Sequence, residues 1–315
     1  MPNNNVNTFI RAVEAEALRL CTSEPECCRR LRSGELEDRA GTWDQYFSTW
    51  DIGAGMVRDL GNYTLYPILV MARKGTVKGP ALASTFRDLV VPYTTYLVYN
   101  GFDELDHWSK EAADILETAD DGVADQVLCA IIRYVNRLTA WTHHSFPWHL
   151  GDHYKYDDVP ERVTHAKPAA GLSVIDGPQI RLSWEPTGIS VLARLNTRGN
   201  PELCADILAG LPFTVLQDHA VVTGASIFAW SPIVSTAPLR EKELICDAPV
   251  GRLRFSQRTG QKVVVQYGPV TETILSPVLG QVEADDIEKL AELGHAVSES
   301  TLRNKEPIFL TVERV

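Results

Sequence analysis

Polar side chains that could do chemistry are concentrated on two predicted hairpins in the C-terminal half of the sequence. The first hairpin is FTVLQDHAVVTGASIFAW, with a turn at Thr223–Gly224, and the second is GRLRFSQRTGQKVVVQYG, with a turn at Thr259–Gly260. Strand-forming arms around a glycine turn are typical of antiparallel hairpins. The acid–base, cationic and aromatic side chains on or just after these arms are His219, Trp230, Arg252, Arg254, Tyr267 and Glu272. We predict that this β unit contains part of an active site.

Three of these residues could move protons. Glu272 follows a β arm, and a partly desolvated carboxylate at a barrel rim could have a raised pKa and act as a base. The simpler interpretation is a solvated loop glutamate. His219 is either a proton shuttle at neutral pH or a hydrogen-bonded structural histidine. Tyr267, at the end of a strand, could donate a proton to a leaving hydroxyl, or it could be only a barrel-end aromatic residue.

The other residues could bind rather than react. Arg252 and Arg254 are two residues apart, so they share one face of a strand. Two neighbouring cations favour an anionic ligand such as a carboxylate, although two arginines on a solvated face are the ordinary case. Trp230 is either a core residue or a stacking wall for an aromatic substrate.

A histidine-rich segment precedes the β half. It is WTHHSFPWHLGDHY, with histidines at His143, His144, His149 and His153. The spacing of the last two would suit a metal only in a helix, which the glycine between them disfavours, and no HExxH motif occurs. We predict no metal, and a polar aromatic surface at a domain junction from which His144 reaches the substrate.

Composition and missing motifs narrow the function classes. A chain of 315 residues favours two domains, and 44% hydrophobic with 23% charged residues is normal for a soluble globular protein. A net charge of −11 argues against nucleic acid and against a polybasic membrane anchor. No GxGxxG, Walker or GxSxG sequence, CxxC pair, signal peptide or long apolar run is present. We therefore expect no cofactor, reduced cysteines and a cytoplasmic location.

Hydrophobic periodicity divides the chain into a helical half and a β half. The predicted helical stretches are Thr8–Arg32, Thr42–Ala72 (two helices interrupted at Gly53, Gly55 and Gly61), Ala81–Asn100 (broken or kinked by Pro92 and ended by Gly101), Phe102–Thr118 and Val123–Thr142, after a frayed segment 1–7. A linker is predicted over residues 145–170.

The predicted strands are Leu172–Ile175, Gln179–Trp184, Ser190–Arg194, Thr214–Val222, Ser226–Trp230, Val250–Phe255, Lys262–Tyr267 and Ile308–Val312. The β half also has predicted helices at Pro201–Leu208 and Ala284–Leu293, the latter ended by Gly294. We predict an α+β chain with a helical bundle domain (1–165) and a closed antiparallel barrel domain (166–315).

The β half resembles the cyclophilin-like barrel of a bacterial branch that occurs joined to a helical bundle. The matching residues are His219, Thr223–Gly224 with the aromatic strand after it, Gly251, Tyr267–Gly268 and Gly280. Bundle plus barrel together resemble cucumopine synthase and related bacterial Pictet–Spenglerases. The prolyl-isomerase signature of true cyclophilins is not convincingly present, so isomerase activity is not implied.

The resemblance implies an enzyme that needs no cofactor and forms a C–C bond in specialised metabolism. It would condense an aromatic amino acid, tryptophan in preference to histidine, with an aldehyde or a 2-oxo acid such as 2-oxoglutarate to give a tetrahydro-β-carboline-type product. Glu272, His219 and Tyr267 would move protons, and Arg254, Arg252, Trp230 and His144 would bind substrate in a cleft closed by the helical half. The partners would be these small molecules, with a homodimer plausible. Another lyase or isomerase that reuses the barrel, or a non-catalytic module that binds a peptide or a small acid, is the alternative.

Overall fold

The chain forms two compact units, one of residues 1–146 with 258–260 and one of residues 147–257 with 261–315. The structure, a computed structural model, describes residues 2–33, 35, 43–148 and 175–315. The predicted domain boundary at residue 165 and nearly all of the predicted linker lie outside the described residues. No helix in the described ranges combines the length and apolar character needed to cross a membrane.

The described part of the first unit is an all-α bundle, as predicted. Its helices are α1 (Pro2–Arg19), α2 (Glu26–Ser33), α3 (Trp43–Asp59), α4 (Tyr66–Arg73), α5 (Gly79–Leu97), α6 (Asp103–Leu116) and α7 (Asp121–Ser145). The longest, α7, begins where the Asp120 carboxylate accepts a 2.8 Å hydrogen bond from the Val123 N–H. Its apolar residues at helical spacing, such as Val127 and Val135, are fully buried. Helix α7 contacts α1, α2, α3, α4 and α6 and so forms the core of the bundle.

Several helix boundaries differ from the prediction. The predicted helix Thr8–Arg32 is two helices, because the chain leaves the helix before Pro25, whose ring cannot continue it. Residues 2–7, predicted to be frayed, belong to α1. Pro92 does not break α5, whose apolar face is buried along its length. Gly101 does follow this segment with a φ of 86°, as predicted.

The predicted glycine interruption of the Thr42–Ala72 stretch is partly confirmed. Gly53 and Gly55 lie within α3, so they do not interrupt the helix. Gly61 lies in a π-helical segment, Leu60–Leu65, that separates α3 from α4. The predicted pair of helices is therefore present, joined by a π turn instead of a loop.

The second unit is a closed antiparallel barrel. The strands of its described residues are β1 (Gln179–Glu185), β2 (Ile189–Leu195), β3 (Phe213–His219), β4 (Gly224–Trp230), β5 (Lys242–Leu244), β6 (Arg252–Ser256), β7 (Lys262–Val270), β8 (Leu275–Val282) and β9 (Ile308–Arg314). The order β2-β1-β9-β3-β4-β7-β6-β8 returns to β2, so eight strands close the ring, and β5 pairs with β8 alone. Closure leaves no unpaired edge in the ring. The predicted fold class is confirmed.

Strands β5 and β8 are absent from the prediction. Pro277 and Gly280 lie within β8, and both residue types argue against a strand. The structure gives the glycine a packing role, because a Cβ on Gly280 would lie 2.3 Å from the Arg194 carbonyl oxygen on β2. Gly280 therefore lets β8 approach β2 and close the barrel. The predicted strand Leu172–Ile175 falls on residues 172–174, which lie outside the described ones, and Ile175 is not in a strand.

The described residues of the barrel unit also form two α-helices, α8 (Pro201–Ala209) and α9 (Lys289–Glu299). The prediction that Gly294 ends the second helix was wrong, since α9 continues for five residues beyond it. Gly294 instead faces the Tyr267 ring, and a Cβ there would lie 2.5 Å from ring carbons. This glycine makes room for an aromatic side chain within a helix.

Candidate functional site

Strand β6 places two arginines on the outer face of the barrel. Leu253 and Phe255 are fully buried and lie opposite Val265 and Val263 on the inner face. Arg252 and Arg254 alternate with them and therefore point outward. Both are nevertheless buried, with 2% and 3% exposure. The ordinary interpretation of a solvated arginine pair is thereby excluded.

Arg254 is held by side chains from the two neighbouring strands. Its Nη1 donates to Gln266 Oε1 at 2.6 Å and its Nη2 to Ser226 Oγ at 3.2 Å. Gln266 and Ser226 lie directly opposite each other on β7 and β4. The Gln266 amide donates in turn to the carbonyls of Ala248 and Gly268. The Arg254 guanidinium is thus fixed by a network rather than by an ion pair.

The charge of Arg254 survives burial. Desolvation lowers the pKa of Arg254 to about 10, partly opposed by the negative charges of Glu243 and Glu272. The side chain is therefore a cation at neutral pH. Glu272 lies two residues beyond the end of β7 and is half-buried. The negative charge of Glu272 therefore reaches Arg254, and its role as a base stays a prediction.

Arg252 forms an ion pair and borders a cavity. Its Nε donates to Glu243 Oε1 at 2.6 Å, and Glu243 comes from the short strand β5. The cavity has a volume of about 260 Å³ and is also lined by Gln281 of β8 and Arg194 of β2. Arg252 lies opposite Gln281, and Gln281 lies opposite Arg194. A row of polar side chains therefore crosses three neighbouring strands. We call Arg252, Arg254, Glu243, Gln266 and Ser226 the arginine face.

His219 and Tyr267 form a second polar group, the histidine–tyrosine pair. The His219 Nδ1 lies 2.6 Å from the Ala220 carbonyl oxygen, which only accepts, so this nitrogen bears the proton. His219 Nε2 lies 2.6 Å from the Tyr267 hydroxyl and accepts its hydrogen. Burial lowers the pKa of His219, against the opposing effects of Ala220 and Asp218, and burial raises that of Tyr267. Both side chains are therefore neutral at pH 7.

The two groups occupy different sides of the sheet. His219 lies opposite Ile227, which lies opposite Val265, so His219 belongs to the inner side. Tyr267 follows Val265 at the same alternation, and its ring packs against α9. No hydrogen bond between described residues joins this pair to the arginine face. The predicted proton-moving residues are thus divided, with Glu272 near the arginines and His219 with Tyr267.

Trp230 and His144 are both buried among aromatic rings. The Trp230 ring lies 4.9 Å from that of Phe228, and the Lys262 ammonium lies 5.2 Å from the Trp230 ring centre. His144 lies in α7 of the helical unit, edge-on to Trp141 with ring centres 6.1 Å apart. The described residues contain no group of three or more potential metal ligands. His149 and His153 lie outside the described residues.

Sequence reasoning missed the side chains that hold the arginines. Gln266, Ser226, Glu243 and Gln281 all contribute to this surface, and none stood out by type or motif. One signal was available for Gln266, which interrupts the valine run of β7 with a polar group. A polar residue in a buried strand needs a partner. Glu243 could not be found in this way, because its strand has only three residues.

A comparison with known protein families agrees with the helical bundle of the first unit. Residues 6–145 match the family described as the cucumopine synthase C-terminal helical bundle domain. In this chain the bundle precedes the barrel. No curated protein matches the chain.

Two solved structures are similar to parts of the chain. The structure of McbB in complex with tryptophan is 35% identical, with a TM-score of 0.39, over 43% of this chain and 44% of that one. The solution structure of the hypothetical protein AF2241 from Archaeoglobus fulgidus is 12% identical, with a TM-score of 0.33, over 46% of this chain and 100% of that one. The chain therefore spans less than half the length of McbB. The match of residues 6–145 confirms, for the helical part of the chain, the predicted resemblance to the cucumopine synthase-like family.

Proposed function

We propose that this chain catalyses a Pictet–Spengler condensation. An aromatic amino acid, tryptophan in preference to histidine, would react with an aldehyde or with a 2-oxo acid such as 2-oxoglutarate. The amine adds to the carbonyl, the carbinolamine loses water to give an iminium, and the ring carbon closes onto it and loses its proton. One water leaves in total, and the product is a tetrahydro-β-carboline or its imidazole counterpart.

The observation that supports this proposal is the pair of buried guanidinium groups on the arginine face. A cation removed from water costs several kcal/mol unless anions or dipoles compensate it. Arg254 has the Gln266 and Ser226 dipoles, and Arg252 has Glu243 and an opening to the cavity. A substrate with a carboxylate would complete this compensation through charge-assisted hydrogen bonds. Both proposed substrates, an amino acid and a 2-oxo acid, have one.

Proton transfer is assigned to Glu272 and to the histidine–tyrosine pair. Glu272 is half-buried, its charge acts on Arg254, and it would remove the ring proton after cyclisation. The pair can pass a proton in two steps, because Tyr267 donates to the neutral His219 and keeps oxygen lone pairs for an outside donor. Trp230 remains a predicted wall for the aryl ring, and His144 remains a predicted substrate-binding residue.

The test is a condensation assay with purified protein. Tryptophan or histidine is incubated with 2-oxoglutarate or an aldehyde, and mass spectrometry follows a product whose mass is the sum of the substrates less one water. Wild-type protein should form one stereoisomer, and Glu272→Gln should form it roughly a hundredfold or more slowly, as expected for loss of a general base. If no product forms with any pair of arylethylamine and carbonyl compound, the proposal is wrong.

One observation favours a second candidate, a non-catalytic module that binds a small acid. The histidine–tyrosine pair and the arginine face are separate groups, so the cation can bind an acid without a neighbouring histidine. His219→Ala and Glu272→Gln distinguish the two functions. Lost turnover with intact binding favours the enzyme, whereas intact binding with no reaction in wild-type protein favours the module. The homodimer and the cytoplasmic location stay predictions.

A further inference from the structure

The cavity beside Arg252 has a polar lining that the proposed reaction alone does not require. It lies on the outer face of β2, β8 and β6 and has a volume of about 260 Å³. Its charged and amide groups come from Arg194, Arg252, Gln281 and Glu283, with Pro249 and Val282 as apolar walls. All of these residues belong to the barrel unit.

Arg252 offers hydrogen-bond donors to this cavity. The residue is 2% exposed, and only its Nε donates within the part of the chain that the structure describes, to Glu243. Its two Nη groups therefore present N–H bonds that no described residue accepts. A guanidinium fork in this state matches the two oxygens of a carboxylate.

The cavity also offers hydrogen-bond acceptors. Gln281 Nε2 donates to the Val250 carbonyl at 2.9 Å, which fixes the orientation of the amide. Its Oε1 is buried and has no partner among the described residues. On Glu283, Oε1 forms an ion pair with Arg194 Nε at 2.8 Å and accepts a hydrogen bond from Gln179 Nε2 at 2.6 Å. The other oxygen of Glu283 accepts from no described residue.

Charge decides which ligand fits this arrangement. The positive charge of Arg194 is balanced by the negative charge of Glu283, and that of Arg252 by the negative charge of Glu243. A dicarboxylate would add two uncompensated negative charges beside Glu283. A zwitterion adds none, and it brings a carboxylate for the fork and N–H donors for the amide and carboxylate oxygens.

We infer that this cavity binds the head group of a free α-amino acid. The carboxylate of the ligand accepts from the two Nη groups of Arg252, and its ammonium donates to Gln281 Oε1 and Glu283. Glu283 is the residue that determines specificity, because it selects a zwitterion over a dicarboxylate. This inference rests on the proposed function in that it assigns one of the two substrates to a site, but it concerns binding alone.

The experiment measures binding without the carbonyl substrate. Isothermal titration calorimetry compares tryptophan with tryptamine, which lacks the carboxylate, and with indole-3-propionate, which lacks the ammonium. Tryptophan should bind wild-type protein at least roughly tenfold more tightly than either analogue, the value of one charge-assisted contact. 2-Oxoglutarate should not displace it.

Variants locate the site. Arg252→Met should reduce tryptophan affinity roughly tenfold or more and leave tryptamine affinity unchanged, and Arg252→Lys, which keeps the charge beside Glu243, should reduce it for lack of the fork. Glu283→Gln should weaken the binding of tryptophan and strengthen the binding of 2-oxoglutarate. The matched control is Arg181→Met, since Arg181 is an exposed barrel arginine paired with Glu313. This control should bind tryptophan like wild-type protein.

The outcomes separate this inference from the condensation. If both Arg252 variants are folded and bind tryptophan as wild-type protein does, or if wild-type protein binds no amino acid, the assignment is overturned, whether or not product forms. If wild-type protein binds tryptophan through Arg252 and forms no product with any carbonyl compound, the binding site is confirmed and the proposed condensation is wrong.

Discussion

Burial has opposite consequences for the arginine face and for the histidine–tyrosine pair. It lowers the pKa of Arg254 only to about 10, so a charge remains inside the protein and must be compensated. It lowers the pKa of His219 from a value near neutrality, so the imidazole becomes neutral and needs only one donor and one acceptor. The first group therefore depends on an extended network, whereas the two ring nitrogens of His219 are satisfied by the Ala220 carbonyl and the Tyr267 hydroxyl. A buried polar cluster thus indicates ligand binding most strongly where its charge persists.

The largest expected effect comes from removing the amide that supports the arginine face. Gln266→Leu takes the 2.6 Å acceptor from Arg254 and two donors from the carbonyls of Ala248 and Gly268. Each buried group left without a partner costs about 1–3 kcal/mol, and more where it is charged. We expect the free energy of unfolding in urea to fall by about 3 kcal/mol or more.

The control for this prediction is a glutamine outside any such network. Gln126 is exposed on α7, and Gln126→Leu should change the stability by less than about 0.5 kcal/mol. An equally small effect of Gln266→Leu would mean that Arg254 is compensated without the amide.

A smaller effect is expected where the histidine–tyrosine pair meets α9. Gly294→Ala introduces a Cβ 2.5 Å from the Tyr267 ring, so the ring or the helix must shift. Overpacking of this kind costs about 1–3 kcal/mol, against a gain in helix propensity of up to about 1 kcal/mol. We expect a net loss of stability in urea denaturation.

A double-mutant cycle tests the cause of that loss. In a Tyr267→Leu background the ring is absent, so Gly294→Ala should become neutral or stabilising. A loss that persists in this background would place the strain elsewhere in α9.

The sequence predicted the helices, the first hairpins and the class of the barrel, because these depend on local periodicity. It did not predict β8, because proline and glycine, here Pro277 and Gly280, are uncommon inside strands. Gly280 lies in this strand because it lets β8 approach β2. It predicted that the two arginines share one face, but it did not predict that they are buried. That burial depends on Glu243, Gln266 and Ser226, which are distant in sequence and are brought together only by the closed sheet. The contact between His219 and Tyr267 likewise follows from strand register, which no motif encodes.

Tyr267→Phe tests whether the two groups are independent. The substitution removes the hydroxyl that donates to His219 Nε2 at 2.6 Å and leaves the ring packed against α9. The cost should be about 1 kcal/mol, that of one hydrogen bond with a polar partner left behind. Although Gln266 and Tyr267 are adjacent in β7, they face opposite sides, so the effects of Gln266→Leu and Tyr267→Phe on unfolding should add. A coupling energy above about 0.5 kcal/mol would show that the strand transmits changes between the groups.

The smallest expected effect is a pH dependence of stability due to His219. Its pKa in the folded protein lies below the unfolded value of about 6.5, because burial outweighs the opposing hydrogen bond to Ala220 and the charge of Asp218. The unfolded chain therefore binds a proton first as the pH falls, so the contribution of His219 to stability is intact above about pH 6.5 and is lost below it. Titratable groups that act on His219 include Tyr267, which stays neutral in this range, and Asp218, whose charge also acts on Lys305. Urea unfolding at pH 7.5, 6.5 and 5.5 should show a loss in wild-type protein that exceeds the loss in His219→Gln by at most about 1.4 kcal/mol per pH unit. The opposite sign, with wild-type protein gaining stability relative to the variant at pH 5.5, would mean that His219 is protonated in the folded state and that the pair is charged like the arginine face.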